Sequence, residues 1–236
     1  MAAGRRVVVG FDGSDFSMQA LDWALDEAEL RRLPLTVAHA WQWPYGAADE
    51  AAKRPLRSAA EHVLWHGADC ARASSSIGDV ATDLFEGPAE EHLVALSAGA
   101  ELVVVGSRGL SGLVRPVIGS VATHVASYAR CPVIVVRGTG AIPAAAHHHP
   151  IVVGVDRTGP PAVLEFAFQE AMLRSLPLVV AHAVPPASPA PAAAGTAEAA
   201  EAEAATAEAV RAAETDVRTR LGPVQQRYPQ VAVEVR

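Results

Sequence analysis

Lysine is almost missing from this chain: Lys53 is the only one among 19 basic residues. Against 26 acidic residues the formal charge is −7 and the pI is near 5.7, which leaves no basic face for a nucleic-acid backbone or an anionic membrane. The arginine excess goes with the abundance of alanine and is not by itself a sign of an anion site. Cysteine is as scarce. Cys70 and Cys131 lie too far apart for a zinc or redox motif, and a single pair builds no disulfide framework, so a reducing cytoplasm fits. No apolar run reaches the roughly 18 residues that a membrane helix needs. Between Arg6 and Asp12 stand only five apolar or glycine residues, too few for a secretory leader. No G-x-x-x-x-G-K-S/T occurs and no G-x-G-x-x-G follows the first apolar run, which excludes P-loop hydrolysis and ordinary dinucleotide binding.

What the chain does have is an internal repeat. Val7-Val8-Val9-Gly10-Phe11-Asp12 returns as Ile151-Val152-Val153-Gly154-Val155-Asp156. Leu33-Pro34-Leu35-Thr36-Val37-Ala38-His39-Ala40 returns 143 residues later as Leu176 to Ala183, with only Thr36 exchanged, for Val179. Between these, Leu21, Ala24, Glu27, Ala28, Leu30 and Arg31 reappear at that offset as Leu164, Ala167, Glu170, Ala171, Leu173 and Arg174. So long a period means two copies of one domain, not a solenoid.

In the first copy, short β-branched runs alternate with helical patterns, the mark of βαβ units around a parallel sheet. The pattern predicts strands near 6–11, 35–41, 79–85, 101–106 and 132–137, and helices near 15–32, 54–72, 88–98 and 120–130. That is a doubly wound α/β fold with five parallel strands in the order 3-2-1-4-5, over residues 1–140. Residues 141–149 read as a linker and 150–236 as a partial second copy. An Ala/Glu-rich helix from about Thr196 to Leu221 has little large apolar surface and reads as a solvated face, before a third strand near Val231 to Val235.

One constellation has a physical task. Gly106-Ser107-Arg108-Gly109 is followed after nine residues by Gly119-Ser120, spanning the end of the fourth strand and the start of a helix. Glycines let backbone N–H groups approach an anion, and a helix start adds unpaired N–H groups and a positive dipole end, so the segment reads as a phosphate cradle. Asp12, closing the first strand, is either a ribose or base acceptor or a cap of the first helix with Ser14. In the predicted order strands one and four adjoin, which brings Asp12 and Gly106 to the switch point where such sheets bind ligands.

The spacing Gly106-x2-Gly109-x9-Gly119-Ser120, with Val7 to Ser14 at the first strand, resembles the ATP-binding pattern of the universal stress protein family over residues 5–137. The resemblance implies a ligand, ATP, alone or with Mg2+. It implies that Asp12 holds the ribose or adenine side and that the Ala40 backbone meets the adenine edge. Gly10 and Val105 would flank the base, and Gly106, Arg108, Gly109, Gly119, Ser120 and Val121 would line the phosphates. Ala122 stands where the family often has a hydroxyl, and Pro116 would stiffen the loop. A homodimer through the edge strand Pro132 to Val136 is also implied. In the second copy Asp156 is kept, but no such glycine pattern follows it, so that half is expected to lack a cradle and to be marginally stable by itself.

Three functions follow. The preferred one is a cytoplasmic stress-response regulator that binds ATP and is not an enzyme, or hydrolyses ATP only slowly. The second is an ATP-using enzyme on a related sheet. Against a fast one stand the lack of an assignable Ser/His/Asp set, of an S-G-G-x-D-S loop, and of a lysine near the cradle. The third is an interaction module without nucleotide, which the complete glycine pattern opposes. His147-His148-His149 reads as linker rather than a metal site. His39 and His182 read as satisfied rim histidines, and Trp41, Trp43 and Tyr45 as packing above the site.

Overall fold

The computed structural model describes residues 5–47, 49–109, 118–137, 149–156, 159–184 and 197–236. The linker at 141–149, apart from His149, and the Pro116 position lie outside these residues. The chain divides into two compact units, Met1–His147 and His148–Arg236.

In the first unit the β-branched runs form β1 (Val7–Gly10), β2 (Leu35–Trp41), β3 (Val80–Glu86), β4 (Leu102–Gly106) and β5 (Val133–Val136). All pair in parallel, in the order β3-β2-β1-β4-β5 that the sequence predicts. Val8 stands opposite Thr36 on one side and Val103 on the other. The central runs Val7–Val9 and Leu102–Val105 are buried, as strands covered on both faces must be. Helices α1 (Asp15–Arg31), α2 (Glu50–Ser74), α3 (Ala89–Ser97) and α4 (Ser120–Tyr128) connect them.

Most boundaries fall where periodicity puts them, but α2 begins a turn early. The Asp49 side chain accepts from the Ala52 N–H and caps the helix ahead of Pro55, which is then carried inside it. Helix α1 ends in the left-handed residue Arg32, with Leu33 N–H donating back to Ala28 at 2.9 Å. The second unit repeats that turn: Ser175 is left-handed and Leu176 donates to Ala171 at 2.9 Å.

The second unit comprises β6 (Ile151–Val155), α5 (Pro161–Arg174), β7 (Leu178–His182), α6 (Ala197–Arg227) and β8 (Val233–Val235), with a parallel sheet in the order β6-β7-β8. Helix α6 corrects the sequence reading. It continues through Pro223, and its last third is not solvated, because Val217, Leu221 and Val224 pack with Phe168, Leu164 and Val180 in the core. Both units bury the repeated Glu–Arg pair on their first helix, Glu27–Arg31 at 2.9 Å and Glu170–Arg174 at 3.2 Å. Among the described residues no helix is long and apolar enough to cross a membrane.

Candidate functional site

The site of the first unit grows from two strand ends at the switch point. Beyond β1, Gly13 takes a left-handed φ of +82° and turns the chain into α1. Asp12 Oδ1 accepts from the Ser14 N–H at 3.0 Å and the Ser14 hydroxyl at 2.6 Å, while Ser14 Oγ accepts from the Ser17 N–H at 3.2 Å. The helix-entry reading of Asp12 is seen directly, since Oδ1 builds the start of α1 with Ser14, while Oδ2 lies on the Gly109 side.

Beyond β4, the Ser107 N–H donates to the Val136 carbonyl and the Gly119 N–H to the Ser107 carbonyl, both at 2.8 Å. The second bond ties the start of α4 to the cradle. Gly119 caps α4 in an extended conformation with no side-chain cap bond, and the first bond back to it comes from Thr123 N–H at 3.0 Å. The opening N–H groups of α4, whose first residues Ser120 and Val121 line the cavity of this site, thus have no side-chain cap from Gly119. Gly106, Gly109 and Gly119 serve by space: none takes a left-handed backbone. A Cβ on Gly106 would lie 2.6 Å from the Phe16 carbonyl oxygen, and one on Gly109 would lie 2.6 Å from Asp12 Oδ2. The Arg108 guanidinium stands 5.1 Å over the Phe16 ring.

These elements enclose a cavity of about 300 Å³, and all ten residues singled out in the sequence line it: Gly10, Asp12, Ala40, Val105, Gly106, Arg108, Gly109, Gly119, Ser120 and Val121. Phe11, Ser17, Ala89, Leu93 and Ala122 line it too and were not foreseen as binding residues. Ala89 and Leu93 sit four apart on one face of α3, a spacing that signals a helix face but not which cavity it covers. Gly10, Ala40, Leu93 and Val105 give this lining its apolar part, and Asp12, Arg108 and Ser120 its polar part.

Other features add no chemistry to this cavity. Trp43 and Tyr45 pack edge to face at 5.2 Å, and Trp43 Nε1 donates to the Gly46 carbonyl at 2.9 Å; neither lines the site. Lys53 pairs with Glu86. Burial pushes the Cys131 thiol up, which makes it a poor nucleophile. His147 and His148 lie outside the described residues. The second unit has a cavity of about 730 Å³ around Asp156, where Arg220 donates to the carbonyls of Asp156 and Gly159.

Comparison with known proteins gives a consistent assignment. The family described as "Universal stress protein family" matches residues 4–137. Universal stress protein Rv2624c of Mycobacterium tuberculosis is 34% identical over 175 residues, covering 74% of this chain and 64% of the relative. The chain thus spans less than two thirds of that relative's length. Universal stress protein Rv2005c of the same organism is 32% identical over 242 residues, covering 96% of this chain and 77% of the relative. Among solved structures, a universal stress protein in complex with cAMP is 29% identical, with a TM-score of 0.46 over 58% of this chain and 99% of that one.

Proposed function

The chain belongs to the universal stress protein family, and from that premise we propose that its first unit is a receptor for an adenine nucleotide, with ATP as the ligand. The observation that carries this reading is the single cavity that joins an apolar slot, the Asp12 carboxylate and a glycine-lined helix start. The residues suit the ligand by their chemistry, since the lining combines a carboxylate, an arginine, a helix start and three glycines whose backbone no side chain covers. In this reading Asp12 accepts hydrogen bonds from ribose hydroxyls. Gly10, Ala40, Leu93 and Val105 enclose the base. The backbone of Gly106 to Gly109 and the first N–H groups of α4 receive the phosphates, with Arg108 available to swing from Phe16 toward them. Mg2+ would accompany the phosphates and offset their charge.

We further propose that the protein is a cytoplasmic stress-response regulator, read by partners through its loaded or empty state, and not an enzyme. Supporting this, the described residues of the cavity lining include no His, Lys or Cys beside Asp12 and the serines. A homodimer through β5 belongs to the same reading.

Protein purified without added nucleotide, denatured and examined by ultraviolet spectrum and chromatography, should release adenine nucleotide, and calorimetry on stripped protein should recover ATP binding. Absence of both would refute the assignment. Phosphate release followed over hours separates a pure binder from a slow hydrolase.

A further inference from the structure

Strand β1 ends at Gly10, yet the next residue is held on both of its backbone polar groups. The Phe11 N–H donates to the Ala38 carbonyl at 2.9 Å, and His39 Nδ1 stands 2.8 Å from the Phe11 carbonyl oxygen. A carbonyl can only accept, so His39 carries a hydrogen on Nδ1 and donates it. The second unit builds the same clip: His182 Nδ1 lies 2.7 Å from the Val155 carbonyl, immediately before Asp156. The intervening segment differs by one residue between the copies, 28 positions against 27. The contact survives that change and the exchange of Phe11 for Val155, so it does not follow from one local packing arrangement.

The Phe11 carbonyl belongs to the same planar peptide as the Asp12 nitrogen, so fixing its oxygen fixes the direction in which the chain enters Asp12. The residue after Asp12 is the left-handed Gly13, which imposes little stiffness of its own. Ser14 holds Oδ1 from the other side, as the N-cap of α1, so the carboxylate is gripped at its oxygen by the helix and at its peptide by the sheet. Among the described residues, the anchor from the body of the sheet to this peptide's oxygen is an imidazole on β2.

We propose that His39 is a positioning residue for the nucleotide site: its Nδ1–H pins the Phe11–Asp12 peptide so that the Asp12 carboxylate is presented to the ribose. This rests on the nucleotide reading given above. His39 lies outside the cavity lining and acts only through Asp12.

The test is calorimetry on the full chain with ATP, adenosine and tripolyphosphate as separate probes. His39→Ala should weaken ATP and adenosine by the same factor, about tenfold, as expected for one hydrogen bond's worth of lost preorganisation. Tripolyphosphate, which does not reach Asp12, should bind unchanged. His39→Asn, whose amide can donate from near the Nδ1 position, should restore most of the affinity. In an Asp12→Ala background His39→Ala should cost ATP nothing further. Equal loss for tripolyphosphate, an Asn variant no better than Ala, or additive costs with Asp12→Ala would each overturn the proposal. A wild-type chain that binds neither ATP nor adenosine would overturn the nucleotide reading itself, whereas wild-type binding indifferent to His39 would overturn only the positioning role.

Discussion

Asp12 and Gly109 approach so closely that a methyl group on Gly109 would sit 2.6 Å from Asp12 Oδ2, which makes the glycine a condition for the carboxylate's position. The ribose end and the phosphate end of the proposed site therefore adjoin at this contact.

Two of the cradle glycines should separate by phenotype. A Cβ on Gly119 would meet the Ser107 oxygen at an ordinary 3.5 Å, so Gly119→Ala should fold normally yet lose ATP affinity by about an order of magnitude, because it fills space meant for phosphate. Gly106→Ala would press on the Phe16 backbone, which cannot rotate away, and should cost roughly 1–3 kcal/mol of stability. Asp12→Ala should weaken ATP while sparing tripolyphosphate. Thermal melts paired with calorimetry measure both axes, and a Gly119→Ala protein with wild-type ATP affinity would show that the cradle holds no phosphate.

The buried pair on α1 gives a prediction about stability alone. The Glu27 and Arg31 side chains are 0% and 8% exposed, with Nε to Oε2 at 2.9 Å. Glu27→Ala would remove the carboxylate that the buried Arg31 guanidinium bonds and should cost about 3–5 kcal/mol in denaturant unfolding. Replacing both by methionine should cost much less, because neither charge is then left unpaired. A single variant as stable as the double would mean that water reaches Arg31.

How much of this was legible beforehand depended on whether the information was local in sequence. The cradle was readable because Gly106, Gly109, Gly119 and Ser120 carry their geometry in linear spacing, and the sheet order followed from alternating runs. Leu93 and Ala89 were not readable as part of the cavity lining, since that depends on α3 folding over β1 and β2 from far along the chain. Glu27 and Arg31 were flagged by recurrence at 170 and 174, but recurrence does not reveal burial. Helix α2 started early because a capping carboxylate at Asp49 outweighed the warning of Pro55. Helix α6 was misjudged because three apolar positions, Val217, Leu221 and Val224, were diluted by a long Ala/Glu run before them.

Strand β5 has β4 on one side and stands last in the five-stranded order, with Val133, Ile134 and Val135 only partly buried. An apolar edge of this kind pairs readily with another copy of itself. Light scattering at micromolar concentration should give a dimer, and Ile134→Lys should shift it to monomer while preserving the fold by circular dichroism. A wild-type mass of 24.5 kDa would refute the edge pairing.

The last prediction concerns a sign. Gly67 lies inside α2, where glycine is normally worse than alanine by about 1 kcal/mol. Here a Cβ on Gly67 would stand 2.7 Å from Phe11 Cδ1, and that ring is buried at 2% exposure. Gly67→Ala should therefore destabilise the first unit by roughly 1–3 kcal/mol through overpacking, despite the better helix propensity. The second unit suggests how to reverse the sign. Its residue at the place of Phe11 is the smaller Val155. In a Phe11→Val background Gly67→Ala should become stabilising, because the ring that opposed it is gone and only the propensity gain remains. Denaturant unfolding of the four proteins measures the coupling. If alanine at 67 has the same sign in both backgrounds, glycine is not there to make room for Phe11. The ring that floors the Asp12 turn would then have to be held by something other than this contact.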